Sequence, residues 1–353
     1  MKKALLFVGL MTWISVVLAV EQHGEYLGAR PSERPEWFKE SFLEFEEDVA
    51  EAAAEGRRVM LYFHQEFCPY CARLVEENFT DPAIESYVRQ HFDGISLNMW
   101  GDREVVTVGG KSFTEKTLAA ALKVQFTPTL LFLDEAGKVA LRLNGYYPPA
   151  QFRRALRYAA QKQERVMTFS EFLRADIADR AGKGLIAEDF FNPSGNLRKL
   201  IEGSPRPLAV YFEAKQCPDC GRLHQQVLAD PPTRTLVNMM DNVLLDIDSD
   251  EKIVAPDGTT LSQSEFATRL NIQYVPTIVL FDSAGNEVHR VEGFFKTFHV
   301  QSSLAYVLGN GYRDQPSFQR YISARGEKIR EQGHAIDIDG YRSHHPAGLT
   351  ALD

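Results

Sequence analysis

All four cysteines of this chain fall into two pairs of one spelling, Cys68-Pro69-Tyr70-Cys71 and Cys217-Pro218-Asp219-Cys220. A rare motif that occurs twice asks first for an internal repeat. Displacing the sequence by 149 positions lays Leu61-Tyr62-Phe63 on Val210-Tyr211-Phe212, Arg73-Leu74 on Arg222-Leu223 and Asp81-Pro82 on Asp230-Pro231. One deletion then changes the displacement to 148. From there Gln125-Phe126-Thr127-Pro128-Thr129 meets Gln273-Tyr274-Val275-Pro276-Thr277, Asp134 meets Asp282, and Gly145-Tyr146-Tyr147 meets Gly293-Phe294-Phe295. The chain is a duplication, and its 353 residues suffice for two domains with a core each.

Within each copy, residues 59–63 and 208–212 are continuous apolar runs of strand length, the pattern of a central strand covered on both faces. A helix is predicted to open at each first cysteine, with Pro69 or Pro218 in the first turn, where a missing N–H costs nothing. Thr129–Leu133 and Thr277–Phe281 read as further strands that turn at Asp134-Glu135-Ala136-Gly137 and Asp282-Ser283-Ala284-Gly285 into hairpin partners. Residues 151–161 and 299–308 read as closing helices. Lys and Arg number 39 against 48 Asp and Glu, a net charge of −9 with no basic run, which argues against nucleic acid as a partner. An apolar fraction of 44% with 25% charged residues excludes collagen, low-complexity disorder and a multi-span membrane protein.

The order strand, CxxC, helix, X-Pro-Thr, strand, hairpin and final helix resembles the thioredoxin fold. The chain is more closely similar to the periplasmic SoxW-type thioredoxin-related family through Cys68-Pro69-Tyr70-Cys71, Asn98-Met99-Trp100-Gly101-Asp102-Arg103-Glu104-Val105 and Phe126-Thr127-Pro128-Thr129. The first copy carries all three segments over about 57–160; the second keeps the first and last in looser form over 206–308. The resemblance implies an α/β architecture of two tandem thioredoxin-like domains, each a three-layer α/β/α sandwich, with a helical C-terminal tail. The expected divisions are a signal peptide at 1–19, domain one at 30–163, a helical linker at 164–204, domain two at 205–311 and the tail at 312–353. It also implies a thiol:disulfide oxidoreductase, more often a reductant, acting on protein disulfides and fed by a membrane thiol transporter of the DsbD or CcdA kind. Its clients would be sulfur-oxidation enzymes or the machinery of cytochrome maturation, and no cofactor is expected.

Cys68 and Cys217 are the expected nucleophiles, because a thiolate at a helix N-terminus is favoured by unpaired N–H groups and is open to solvent. Cys71 and Cys220, one turn inside, are the expected resolving thiols, and the three-residue spacing puts each pair within disulfide reach. The fold resemblance also implies that Pro128 and Pro276 are cis, which would leave the backbone of Thr127 and Val275 free to pair with an extended substrate strand. Asp219 where the first pair has Tyr70 predicts that Cys217/Cys220 is the more reducing pair, since a carboxylate near the sulfur opposes the thiolate. Two departures stand out. Phe67 and Gln216 replace the tryptophan that usually precedes the first cysteine, and Tyr62 and Tyr211 stand where thioredoxins carry a buried carboxylate that accepts the proton of the resolving thiol. His64 and Glu66, or Glu213 and Lys215, are candidates to replace it.

Rival readings are a partner-binding or chaperone module with structural disulfides that uses the grooves at Pro128 and Pro276, and a zinc protein in which the four cysteines, or Cys217, Cys220 and His224, supply ligands. Zinc leaves the proline in each pair and the matching X-Pro-Thr unexplained. Covalent haem is excluded because Ala72 and Gly221, not histidine, follow the pairs. His344-His345 reads as a solvated pair. Asp246, Asp248, Asp250 and Glu251 read as a solvated strand end, because a calcium loop would need glycine where Glu251 stands. Lys2-Lys3, an uncharged stretch to Val20 and Val17-Leu18-Ala19 have the form of a secretory signal cleaved after Ala19. The mature chain is then expected in the periplasm or outside the cell with no membrane span, the alternative being an uncleaved anchor. Residues 164–181 read as an amphipathic linker helix with Phe169, Phe172, Leu173 and Ile177 on one face, followed by an Asn192-Pro193-Ser194-Gly195 turn. Phe318, Tyr321, Ile322 and Ile329 mark a similar tail helix with Ser317 as its cap.

Overall fold

The computed structural model describes residues 23–177, 184–215 and 217–345. The signal segment, Gln216 and part of the linker turn therefore lie outside the described residues, as does the side chain of Ile177.

In the first copy β1 (Arg58–His64) is buried in all but its last residue. It leads into α1 (Pro69–Arg73), which continues as a π-helical turn over Leu74–Phe79. Next come α2 (Pro82–His91), β2 (Phe92–Asn98), β3 (Thr129–Leu133), β4 (Val139–Asn144) and α3 (Pro149–Ala160). The sheet order is β2-β1-β3-β4, with β1 and β2 parallel and the other pairs antiparallel. A further helix, α4 (Phe169–Ile177), follows. The second copy repeats the plan with β5 (Leu208–Glu213), α5 (Pro218–Arg222) and its π-helical turn Leu223–Leu228, α6 (Pro231–Val237), β6 (Asp241–Asp246), β7 (Thr277–Phe281), β8 (Glu287–Glu292), α7 (Thr297–Leu308) and α8 (Phe318–Glu331). Its sheet order is β8-β7-β5-β6. No helix among the described residues is long and apolar enough to cross a membrane.

Local chemistry accounts for the matching ends. Asp81 accepts the N–H of Ala83 and Ile84 ahead of Pro82, and Asp230 accepts that of Thr233 ahead of Pro231, so both helices open on a cap followed by proline. In the hairpins Asp134 accepts the N–H of Ala136 and Lys138 at 2.9 and 2.8 Å, and Asp282 does the same for Ala284 and Asn286 at 3.0 and 2.8 Å. The acidic run at the end of β6 is not simply solvated: Asp246 is buried, accepts the Asp248 N–H at 3.0 Å and pairs with Lys215 at 3.5 Å. His345 is likewise buried, although its neighbour His344 is exposed.

Three apolar layers organise the molecule. One lies outside the first sheet and one outside the second, while the largest runs between the two sheets and joins residues of both copies with the tail. At its centre the copies meet with near two-fold symmetry. Phe126 packs on Phe295 at 4.6 Å between centroids, and the equivalent Tyr274 packs on Tyr147 at 5.1 Å. Gly145, at φ +80°, lies so close that a Cβ there would stand 2.6 Å from the Phe295 ring, so only glycine satisfies both the backbone and the contact.

The duplication extends beyond the units expected from sequence. Phe169 and Phe172 of α4 pack on Tyr158, and Phe318 and Tyr321 of α8, displaced by the same 149 positions, pack on its counterpart Tyr306. The hydroxyls of Tyr158 and Tyr306 donate to the Met167 and Gln315 carbonyls, both at 2.7 Å. Each of these helices also reaches across the interface, Phe169 to Tyr274 and Phe318 to Phe126. The first and last described segments are tied together as well, because Tyr26–Leu27 pairs in parallel with Ile336–Asp337.

His289 of β8 sits inside this central layer, with its ring 4.5 Å from that of Phe318 and its Nε2 3.1 Å from the Ser303 hydroxyl. Burial, helped by the Arg290 charge, pushes it down to about 3. The unfolded chain therefore binds a proton below pH 6.5 that the folded chain refuses, and the stabilisation present above that pH is lost as pH falls towards 3. The expected loss approaches about 1.4 kcal/mol per pH unit once the unfolded imidazole is protonated, or roughly 2 kcal/mol between pH 6.5 and 4.5. Urea unfolding at the two pH values checks this. His289→Phe should flatten the dependence by that amount, and an unchanged dependence contradicts the assignment.

Candidate functional site

Each CxxC stands at the mouth of a helix because its first cysteine is that helix's cap. Cys68 and Cys217 have extended backbones, and their sulfurs accept the N–H of Cys71 at 3.1 Å and of Cys220 at 3.0 Å. Proline occupies the next position in both. The pairs Cys68–Cys71 and Cys217–Cys220 are disulfide-bonded, with Cα atoms 5.2 and 5.1 Å apart. Both X-Pro bonds are cis, Thr127-Pro128 and Val275-Pro276. In the first copy the carbonyl and hydroxyl oxygens of Thr127 lie 3.6 and 3.4 Å from the Cys68 sulfur, so strand end and helix start converge on the nucleophile position.

The two sites differ in access, against the expectation that both first cysteines face solvent. Cys217 is half-buried, whereas Cys68 is only 3% exposed. The second copy covers Cys68 from one side: the Lys296 N–H donates to the Tyr70 hydroxyl at 3.1 Å, and the His299 ring lies 5.1 Å from that of Tyr70. From the other side α8 covers it through Gln319, whose Nε2 donates to the Gln125 carbonyl at 2.7 Å. Both cis prolines are buried, but Thr127 is buried as well, so the backbone expected to receive a substrate strand is less open there. Val275 is half-buried over Pro276.

The electrostatic contrast expected from Asp219 also changes. Its carboxylate is buried, bonded to the Arg222 guanidinium and approached by Gln151 Nε2 at 3.3 Å, so a cation offsets the charge that was to oppose the Cys217 thiolate. That pairing removes the basis for ranking Cys217/Cys220 as the more reducing pair.

Tyr62 and Tyr211 are buried, and burial raises both above their ordinary range, so neither replaces the missing proton acceptor as a phenolate. Of the four candidates, Glu66 and Lys215 are exposed, and burial holds the His64 imidazole below its usual range. Glu213 is different. It is 1% exposed at the end of β5, and its Oε1 lies 2.9 Å from Nε2 of His224, whose Nδ1 lies 3.0 Å from Glu188. Burial alone would push His224 down, but the hydrogen bonds and charges of Glu213 and Glu188 outweigh it and raise its pKa. With both ring nitrogens held by carboxylates, His224 does not present a zinc ligand to the cysteines. His224 follows Cys220 by four positions along one helical path, so this buried acid–imidazole pair lies one turn inside the second site. The first copy has Val75 at the equivalent position. The role of Glu188, from the linker, had no signal in the local sequence, whereas the spacing of Cys220 and His224 did.

A thioredoxin-like domain model matches residues 45–160 and again 196–308. Among curated proteins none matches the chain. Solved structures similar to parts of it include a thioredoxin-fold protein from Helicobacter pylori, 18% identical over 40% of this chain and 92% of that one with a TM-score of 0.36. A thioredoxin from Thermus thermophilus is 31% identical over 34% of this chain and 85% of that one, with a TM-score of 0.28. An oxidoreductase titled DsbH is 16% identical over 37% and 91%, with a TM-score of 0.25. With both copies matched over more than half of its length, the chain belongs to the thioredoxin-like domain family.

Proposed function

We propose that this protein is a thiol:disulfide oxidoreductase working through Cys68/Cys71 and Cys217/Cys220, with the first cysteine of each pair as nucleophile and the second as resolving thiol. The observation that carries the reading is the repetition of a helix-capping disulfide at the same place in two copies of one fold. At a helix mouth the unpaired N–H groups favour a thiolate, which an exchanging pair uses and a purely structural bridge does not. In the reducing direction the Cys217 thiolate attacks a client disulfide and expels one client thiolate. Cys220 then attacks the Cys217 sulfur, expels the second, and leaves the Cys217–Cys220 disulfide to be reduced again by an external dithiol.

The finer assignment is a periplasmic reductant of the SoxW type, exported by its N-terminal signal and recharged by a membrane thiol transporter of the DsbD or CcdA kind. The motifs around Cys68, Trp100 and Pro128 support it. The test is reduction of insulin by dithiothreitol in the presence of the full chain. The native chain should accelerate it, and a chain with all four cysteines replaced by serine should not. Equal rates for the two would overturn the reading in favour of a partner-binding module.

A further inference from the structure

The two sites are chemically alike and sterically unlike, and the difference lies in what the tail leaves open. Across the first site α8 is bonded to the segment that leads into Thr127 and to the loop before Cys68, where an extended peptide would have to lie. Gln319 Nε2 bonds the Gln125 carbonyl, the Phe318 N–H meets Gln125 Oε1 at 3.4 Å, and Gln65 Nε2 donates to Gln319 Oε1 at 3.1 Å. This cover is firmly anchored: Phe318 is fully buried among Phe126, His289 and Tyr306, and the far end of α8 holds the N-terminal segment through Arg330 and Gly24. What remains beside Cys68 is a cleft of about 330 Å³, lined among others by Thr127, Gln65, His299, Gln319 and Ser323. Pockets for small organic ligands begin near ~300 Å³, whereas a docked protein segment needs a groove open along its length. His299 lines the cleft, and its Nδ1 is buried with no hydrogen-bond partner among the described residues. A buried nitrogen left unpaired is costly, so the site favours a ligand whose polar group brings it a partner. Burial keeps this imidazole down at about 4 and hence neutral, suited to an amide, ammonium or hydroxyl group.

We infer that the Cys68/Cys71 site exchanges with low-molecular-weight thiols and disulfides, of about glutathione size or smaller, and that protein disulfides are served at Cys217/Cys220. The inference rests on the exchange function proposed above and assigns a substrate class to one of its two sites. Starting from the disulfide present in the structure, a small thiolate attacks the Cys68 sulfur and the Cys68–Cys71 bond breaks. Cys71 leaves as a thiolate and takes up the proton that the small thiol released. A second small thiol attacks its partner in the mixed disulfide, forming a small disulfide and releasing Cys68, which takes the second proton. Two electrons pass from two small thiols to the cysteine pair, and the reverse sequence reduces a small disulfide.

The test offers the oxidised full chain either reduced glutathione or a reduced folded thioredoxin, and follows each pair by alkylation and peptide mass. Glutathione should reduce Cys68–Cys71 at least as fast as Cys217–Cys220, while the folded protein should favour Cys217–Cys220 by at least about tenfold. Ser323 is exposed at the rim of the cleft, and Ser323→Trp should slow glutathione at Cys68–Cys71 by about tenfold without changing Cys217–Cys220. Equal reduction of both pairs by the folded protein overturns the inference and leaves the exchange function standing. So does a first pair as slow with glutathione as with protein, or an unaltered rate in Ser323→Trp. The comparison of reductants on the native chain decides the matter even if that variant folds poorly. Failure of every thiol, dithiothreitol included, to reduce either pair overturns the exchange function itself.

Discussion

Replacing Cys217 and Cys220 by serine is expected to abolish most insulin reduction by the full chain, on the order of a hundredfold, whereas replacing Cys68 and Cys71 should change it by less than about threefold. The asymmetry follows from approach, not from intrinsic chemistry. Exchange needs attacking sulfur, attacked sulfur and leaving sulfur nearly in line, so the disulfide of a protein client must bring its own backbone within a few ångströms of the nucleophile. At Cys217 the neighbouring Pro218 is exposed and the sulfur's residue half-buried, so a client can approach from outside. At Cys68 the same approach meets Tyr70 under His299 on one side and Gln319 on the other. Cys68 and Cys71 belong to the central layer that joins the copies whereas Cys217 and Cys220 do not, so the urea midpoint of each double variant is measured beside its activity to separate lost exchange from lost stability. If the Cys68/Cys71 variant instead loses the activity, α8 must leave the first site in solution and the access argument fails.

How much of this was legible in the sequence depends on how far apart the interacting residues lie. The strand before each cysteine pair, the proline-opened helix and the Asp-x-x-Gly hairpins were readable because each is decided within about six residues, by apolar run length, by capping and by turn chemistry. Short hairpins such as Glu104–Val106 with Ser112–Thr114 escaped, since three-residue strands carry too little alternation to stand out. The Asp219–Arg222 pair was three residues apart in plain view, yet its effect depended on the carboxylate being buried, which Gln151 of the other copy helps to enforce. Burial of Cys68 was out of reach, because its cover comes from Lys296, His299 and Gln319, more than two hundred positions along the chain. The relation of Phe169 to Phe318, by contrast, was written in the same displacement as the cysteines. It lies beyond the thioredoxin motifs, where the match of Phe169 and Phe172 with Phe318 and Tyr321 alone carries the repeat.

Phe318→Ala is expected to destabilise the chain by about 3–5 kcal/mol, the usual cost of emptying a phenylalanine site in a close-packed core. The site is filled on every side: ring centroids of Phe126, His289 and Tyr306 lie at 5.4, 4.5 and 5.4 Å, and the side chain itself is inaccessible to water. These neighbours belong to both copies and cannot easily close the gap, because Phe126 is held against Phe295 and Tyr306 by its hydrogen bond to Gln315. The loss should appear in urea unfolding as a lower midpoint. A second consequence separates this residue from an ordinary core position. Phe318 is the root of the helix that carries Gln319 over the first site, so loosening it should open Cys68 to the outside. In chains reduced with dithiothreitol, alkylation of Cys68 should rise by about tenfold in Phe318→Ala, while alkylation of Cys217 stays within about twofold of native. Phe169→Ala, the counterpart in the first copy, should destabilise through the same kind of cavity but leave Cys68 covered, since its neighbours are Tyr158 and Tyr274. If both variants expose Cys68 equally, protection comes from global stability. If only Phe318→Ala does, the tail helix is what holds the first site closed to proteins.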